Sequence, residues 1–423
     1  MKLSNIPAAL FAATVLALAT TASATTSYVN PDGVCGGHLP CYTTIQGAIN
    51  APITLNGDTI DVADATYPEL VQVTKSLTIN GSQHGVDART RSGAESIVGT
   101  GDGAFQIEAD NVTIDGFTIQ GVVNDPSQPP YTGLGAGVWT NPAFSGTHGG
   151  HKILNNIIQN NIAGIELDND GTIQTVAQFN LIRGNNSPGA GSGNGIETNF
   201  GLSNALIDNN KFIGQTGSSE LVVAPSSSIT ISNNTLDAGV ALLSVSGATI
   251  TGNGSIGNTV DGTIYIFGGD SGITISSNVL NNGVEAVVVD NPYSSYGIPA
   301  NSSVTLSPNN CIAGNSTNGL RVASGSYTGG AGSLNAKNNW WGAASGPNYN
   351  GGGPGTGDKI TDPDHVVTFS GFLTSRTGTP CAPPPVGPPT TANQCKNGGW
   401  QTFNTPRTFK NQGDCIQYVN TGK

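Results

Sequence analysis

Long apolar runs, basic residues and charge of either sign are scarce in this chain, and each scarcity removes a class of function. Past the first two dozen residues, nothing approaches the roughly 18 to 20 consecutive apolar residues of a membrane helix, so no membrane span is expected. Only 10% of residues are charged, too few to lace exposed helix faces with ion pairs, which argues against a mainly helical fold. The 15 Lys and Arg stand against 27 Asp and Glu, a net charge of -12, and that field repels phosphate backbones. Nucleic acid is excluded as a partner. An acidic polysaccharide is disfavoured too, unless a cation or a local basic strip intervenes.

What is present is glycine, 60 residues of it, with abundant Asn, Ser and Thr and a hydrophobic content of 36%, enough for a large core broken by many tight turns. Lys2, the apolar stretch Ala8 to Ala19 and the small residues Ala22-Ser23-Ala24 form an export signal, so residues 1–24 are expected to be removed and the protein secreted or held at the cell surface. Export permits disulfides among the six cysteines. Cys35 with Cys41 and Cys395 with Cys415 are expected as local staples. Cys311 and Cys381 either tie the last coils to the segment leaving them or stay as free thiols.

Internal repetition decides the fold. A short apolar-x-apolar strand followed by Asn recurs at Ile153-Leu154-Asn155-Asn156, Phe179-Asn180, Leu206-Ile207-Asp208-Asn209-Asn210, Ile229-Thr230-Ile231-Ser232-Asn233-Asn234, Ile250-Thr251-Gly252-Asn253, Ile275-Ser276-Ser277-Asn278 and Asn338-Asn339. Alternation marks strands with one buried face. Asn marks the bend, because it tolerates left-handed backbone and its amide can satisfy turn groups. Stacked about one strand spacing apart, these amides are expected to bond one another as a ladder. The fold predicted is all-β, a right-handed parallel β-helix over residues 25–376. A cap helix within Tyr42 to Asn50 should cover one end and Trp340-Trp341 the other, since an open coil exposes edge and core. Residues 377–393, rich in Pro and Thr, read as a semi-rigid linker, and 394–423 as a small basic module.

Ile45-Gln46-Gly47-Ala48-Ile49, Gly57-Asp58-Thr59-Ile60-Asp61-Val62, Tyr67-Pro68-Glu69 and Lys75-Ser76-Leu77-Thr78-Ile79 resemble the opening of bacterial pectin-lyase-like β-helix proteins. Asn338-Asn339-Trp340-Trp341-Gly342 is similar to the closing coil of exported right-handed β-helix repeat proteins. The resemblance spans roughly residues 28 to 373 and implies the fold; it implies no one activity. Pectin methylesterases share the opening, yet Ala65 replaces the glycine of their Gly-x-Tyr-x-Glu pattern and their later carboxylate segments are missing, so Tyr67 and Glu69 are expected to be structural. Copper-associated β-helix proteins are poorly matched, since one Met and five His leave few soft or imidazole ligands.

Aligning Gly137-Val138-Trp139, Gly164-Ile165-Glu166, Gly195-Ile196-Glu197, Thr263-Ile264-Tyr265 and Gly319-Leu320-Arg321 places the third residue of each on one outward strip. Trp139, Tyr265 and Arg321 are the candidate substrate-binding residues, and Glu166 and Glu197 the candidate carboxylate pair. Two carboxylates one strand apart persist only if water screens them, a cation bridges them or one keeps a proton. Asp168 and Asp170 could join the pair around Ca²⁺, or form an ordinary turn. His148 and His151 flank Gly-Gly in the insertion Val122 to His151 and could act as base or ligands. An extracellular polysaccharide is the expected partner. The rival readings are a polysaccharide lyase or glycoside hydrolase, with Arg321 or Lys152 as charge neutraliser, and a non-catalytic adhesion scaffold.

Overall fold

A computed structural model describes residues 24–217, 219–255, 262–376, 380–381, 388–396, 398–403 and 407–422. The expected signal, except its last residue, and residues 377–379 and 382–387 of the expected linker lie outside them. The chain winds as a right-handed parallel β-helix with three sheets of 14, 10 and 12 strands. One turn shows the path: Lys152–Leu154 lies in the first sheet, Ile157–Gln159 in the second and Ala163–Glu166 in the third, and Thr175–Gln178 begins the next rung on top of the first. Parallel pairing in register puts Ile153 on Ala177, Ile158 on Ile182 and Ile165 on Ile196. Like side chains therefore stack inside, and Ile60, Ile79, Ile114, Ile153, Ile207 and Ile231 are all buried. Each contributes about 1.5 to 3 kcal/mol of hydrophobic stabilisation.

The bend between the first and second sheets divides its work between two consecutive residues. The first takes left-handed backbone: Asn155, Phe179, Asn209, Asn233, Ser277, Asn309 and Asn338 all have φ between 51 and 64°. Phe179 is costly there, and the Arg89 guanidinium lies over its ring at 5.2 Å. The second residue carries the ladder. Asn156, Asn180, Asn210, Asn234, Asn253, Asn278, Asn310 and Asn339 are each bonded to the next: the backbone N–H donates to the Oδ1 of the following Asn at 2.8 to 3.1 Å. A shorter ladder, Asn161 to Asn185 to Gln215, runs along the next bend. Buried turn N–H groups that neighbouring strands cannot reach are thereby satisfied.

Near the N-terminal end, helix Ile45–Asn50 buries Ile45, Ala48 and Ile49 against the first coils. Glu69 accepts the N–H groups of Ile45 and Gln46, each at 3.0 Å, and Lys75 Nζ donates to the carbonyls of Ile49, Ala51 and Thr54, so each end of the helix meets the charge its orphan groups favour. Tyr67 is buried and donates to Ala63 O at 2.9 Å. At the other end Trp341 is wholly buried, whereas Trp340 stays half-exposed. Cys35–Cys41, Cys311–Cys381 and Cys395–Cys415 are disulfides. The last of these lies with Phe403 and Phe409 in a small separate core beside helix Gln412–Thr421.

Candidate functional site

Register in the third sheet runs Gln106, Trp139, Glu166, Glu197, Val222, Ala241, Tyr265, Val288, Arg321. Their neighbours Val138, Ile165, Ile196, Ile264 and Leu320 point into the core, so alternation turns this column outward. Glu166 and Glu197 stand on adjacent rungs.

The two carboxylates form the floor of a cleft of about 420 Å³ walled by Pro126, Leu134, Asn141, Gly191, Asn199 and Phe200. Trp139 Nε1 donates to Glu166 Oε2 at 2.6 Å, and Asn194 Nδ2 donates to Glu197 Oε2 at 2.7 Å. Gly191 takes left-handed backbone at φ 74°, which disfavours a side chain there, and a Cβ would push the Glu197 carboxylate from its place. Burial pushes Glu166 up to about 7; bonds from Asn199 and Trp139 pull it back, and the charges of Asp168 and Glu197 add to the rise. Burial raises Glu197 as well, against the Asn194 bond. Both shifts favour the protonated form, and a proton held by either carboxyl relieves the repulsion of stacked carboxylates.

Other expected site residues sit elsewhere. Trp139 is not an exposed platform: only 6% accessible, its ring packs with Leu134, Ala136 and Ala163 because the insertion after Gly121 folds over it. The exposed ring at the cleft is Phe200, 54% accessible, which lies in a loop and has no period to betray it. Nor do the four carboxylates expected around Ca²⁺ converge. Asp168, two residues past Glu166, turns into the loop and accepts the N–H groups of Asn199, Phe200 and Gly201 at 2.8 to 3.1 Å. It holds the turn that presents Phe200. Asp170 closes its own turn onto Thr172. Among the described residues no group of three or more His, Cys, Asp or Glu side chains could hold a metal.

His148 faces Asp110 at 3.3 Å, whereas His151 points into the core, fully buried, and burial pushes it down to about 4. Lys152 lies on the first sheet and cannot serve the third. Arg321 is not a free cation either: it pairs with Glu285 at 3.1 Å and Asp290 at 2.9 Å, and its Nη2 donates to Tyr265 Oη at 3.4 Å. The Tyr265 ring stacks on Phe267 at 4.0 Å.

A sequence model of the family described as periplasmic copper-binding protein (NosD) matches residues 90–330. No curated protein matches in sequence. Among solved structures, the mannuronic acid specific polysaccharide family 6 lyase from human gut microbiota is 12% identical, with 94% of this chain and all of that chain covered and a TM-score of 0.48. The crystal structure of Escherichia coli YbhC is 15% identical, with 63% of this chain and 76% of that chain covered and a TM-score of 0.34. At these scores neither likeness bears on activity. The family's name raises copper, and the donor set does not fit it. All six cysteines are in disulfides, His38 stacks on Tyr28, His84 meets Gly81 O and His365 meets Tyr349; His148 and His151 lie near each other, but with their neighbours they form no group of three donors placed to hold a metal among the described residues.

Proposed function

The chain belongs to the family described as periplasmic copper-binding protein (NosD), and from that premise we propose that it is an extracytoplasmic β-helix that binds a glycan in the cleft above Glu166 and Glu197. The observation that carries the reading is the cleft itself: an exposed Phe200 ring and an apolar wall stand over two stacked carboxyl groups, both raised by burial toward the protonated form. Aromatic faces suit the apolar faces of sugar rings, and a carboxylate beside a carboxylic acid can both accept from and donate to hydroxyls. The disulfides suit an oxidising compartment. No helix among the described residues is long and apolar enough to cross a membrane.

Hydrolysis is a second reading, favoured by one observation. Carboxylates one strand spacing apart approach the roughly 5 to 5.5 Å separation of retaining glycosidases, and Glu166, pushed up to about 7, is poised to give up a proton near neutral pH. The disulfide-bonded protein should be incubated with a polysaccharide panel, with and without Ca²⁺, reading binding by calorimetry and cleavage by new reducing ends. Binding without products that weakens in Phe200→Ala supports the first reading. New reducing ends that disappear in Glu166→Gln support the second. Neither signal means an inert scaffold.

A further inference from the structure

Further along the same face, four aromatic rings follow one another. Tyr265 stacks on Phe267 at 4.0 Å, Phe267 meets Tyr293 at 6.0 Å, and Tyr293 meets Tyr296 at 6.4 Å. The last two stand on the loop around Ser294–Tyr296, with Tyr293 39% and Tyr296 82% accessible. Neither closes any core. Beside them opens a polar notch of about 70 Å³ lined by Asp290, Asn291, Ser294, Ser324, Gly325 and Ser326. Rings flanked by small hydroxyl, amide and carboxylate groups are the surface a pyranose needs, with apolar contact below and hydrogen bonds at the rim.

We propose that this row and its notch are a second sugar subsite, continuous with the Glu166–Glu197 cleft, for a glycan chain without carboxylates. The inference rests on the glycan reading of the cleft and extends it in length and in chemical class. Tyr265 stands three rungs beyond Glu197, about 14 Å at ordinary strand spacing. The rungs between carry Val222 and Ala241, so the intervening floor is apolar and places no charge under a bound chain. The class follows from charge. Arg321 is the one basic side chain in the outward column from Gln106 to Arg321, and Glu285 and Asp290 already neutralise it. Along this column a uronate carboxylate would therefore meet acidic neighbours and a cation already paired with two carboxylates. Neutral hydroxyls and amino groups meet acceptors instead, as both neutral and amino-substituted sugars require.

The test uses the full disulfide-bonded chain and isothermal titration. The probes are cellobiose, a β-1,4-glucose hexamer, a chitosan hexamer and a galacturonate hexamer. A disaccharide is too short to touch both stations. The variants are Tyr293→Ala, Tyr296→Ala and Phe200→Ala, each with its melting temperature confirmed. The expected result is that each Tyr variant weakens hexamer binding roughly three- to tenfold and leaves cellobiose unchanged, while Phe200→Ala weakens both. The glucose and chitosan arms separate neutral from amino-substituted ligands, and the galacturonate hexamer should bind weakest. Hexamer affinity unmoved by both Tyr variants but lowered by Phe200→Ala would overturn the second subsite and leave the cleft. Affinity lost in the Tyr variants but not in Phe200→Ala would keep the aromatic subsite and overturn the cleft. Tightest binding of galacturonate would overturn the chemical class.

Discussion

Trp139 donates its indole N–H to Glu166 across one rung at 2.6 Å, while its own ring is sealed beneath Leu134. The bond ties the tryptophan's surroundings to a carboxyl that ionises near neutrality. Trp139 fluorescence should therefore titrate with a midpoint of about 7, read as a difference against Trp139→Phe, and Glu166→Gln should abolish the titration. A flat profile in the parent protein would mean that Glu166 ionises in the ordinary carboxylate range.

Stability should fall as pH rises through neutral. A folded-state value raised from 4.5 to about 7 means that Glu166 stabilises fully below its unfolded value and loses that contribution as pH rises through 7. Asp270, pushed up to about 6, acts in the same direction. His151 opposes them: lowered from 6.5 to about 4, it stabilises above 6.5 and loses the effect as pH falls. Between pH 6.5 and 8 the histidine contribution is present and changes little, and the Glu166 loss should be about 1 kcal/mol. Denaturant midpoints should drop across that window, and Glu166→Gln should reduce the drop, leaving the part that comes from Glu220 and Glu197, which burial also raises.

Asn234 is buried, and its amide accepts from Asn210 while donating to Asn253 and to Ile207 O. Replacing it by Ala strands turn N–H groups in the middle of the stack. The expected cost is on the order of 3 kcal/mol by urea denaturation. A loss of a few tenths would show that water replaces the ladder.

Millimolar Ca²⁺ should move the melting temperature by less than about 1 °C, because Asp168 Oδ1 is taken up by three backbone N–H groups, Asp170 closes its own turn, and no three acidic side chains among the described residues are grouped to hold an ion. Glu197→Gln should stabilise the protein slightly with or without the ion. A rise of several degrees that Glu197→Gln abolishes would restore the cation bridge.

Cys311 is buried in the stack and bonded to Cys381, 70 residues on. Cys381→Ser should lower stability by up to about 4 kcal/mol through the freed chain entropy of unfolding. Cys311 should then react with alkylating reagents only as the protein unfolds. We propose that the fold's C-terminal boundary lies after Cys381, which predicts that a chain ending there melts as the full chain does.

The outward column was legible because two periods coincide in it: alternation chooses the face, and the repeated Gly-apolar-x triplet chooses the rung. That is how Trp139, Glu166, Glu197, Tyr265 and Arg321 could be aligned without coordinates. What covers or neutralises each of them was not legible. Leu134 reaches Trp139 from an aperiodic insertion, and Asp168 holds Phe200 at the cleft through backbone N–H groups more than thirty residues later in the chain. Asp290 meets Arg321 from just past the end of its strand, where alternation has stopped. Side chains that close a site from loops carry no phase, so only folded geometry reveals them.

Successive ladder asparagines are 24, 30, 24, 19, 25, 32 and 29 residues apart, yet the backbone bond between them stays within 2.8 to 3.1 Å. Loop length is thus uncoupled from register. A gene that gains or loses a segment running from one ladder asparagine to the next changes the solenoid by one whole turn and leaves every remaining amide in phase. A cut made elsewhere in the turn displaces a strand and buries its polar face. Inheritance can lengthen, shorten or redecorate this molecule in steps of a rung, and the binding face inherits the same step.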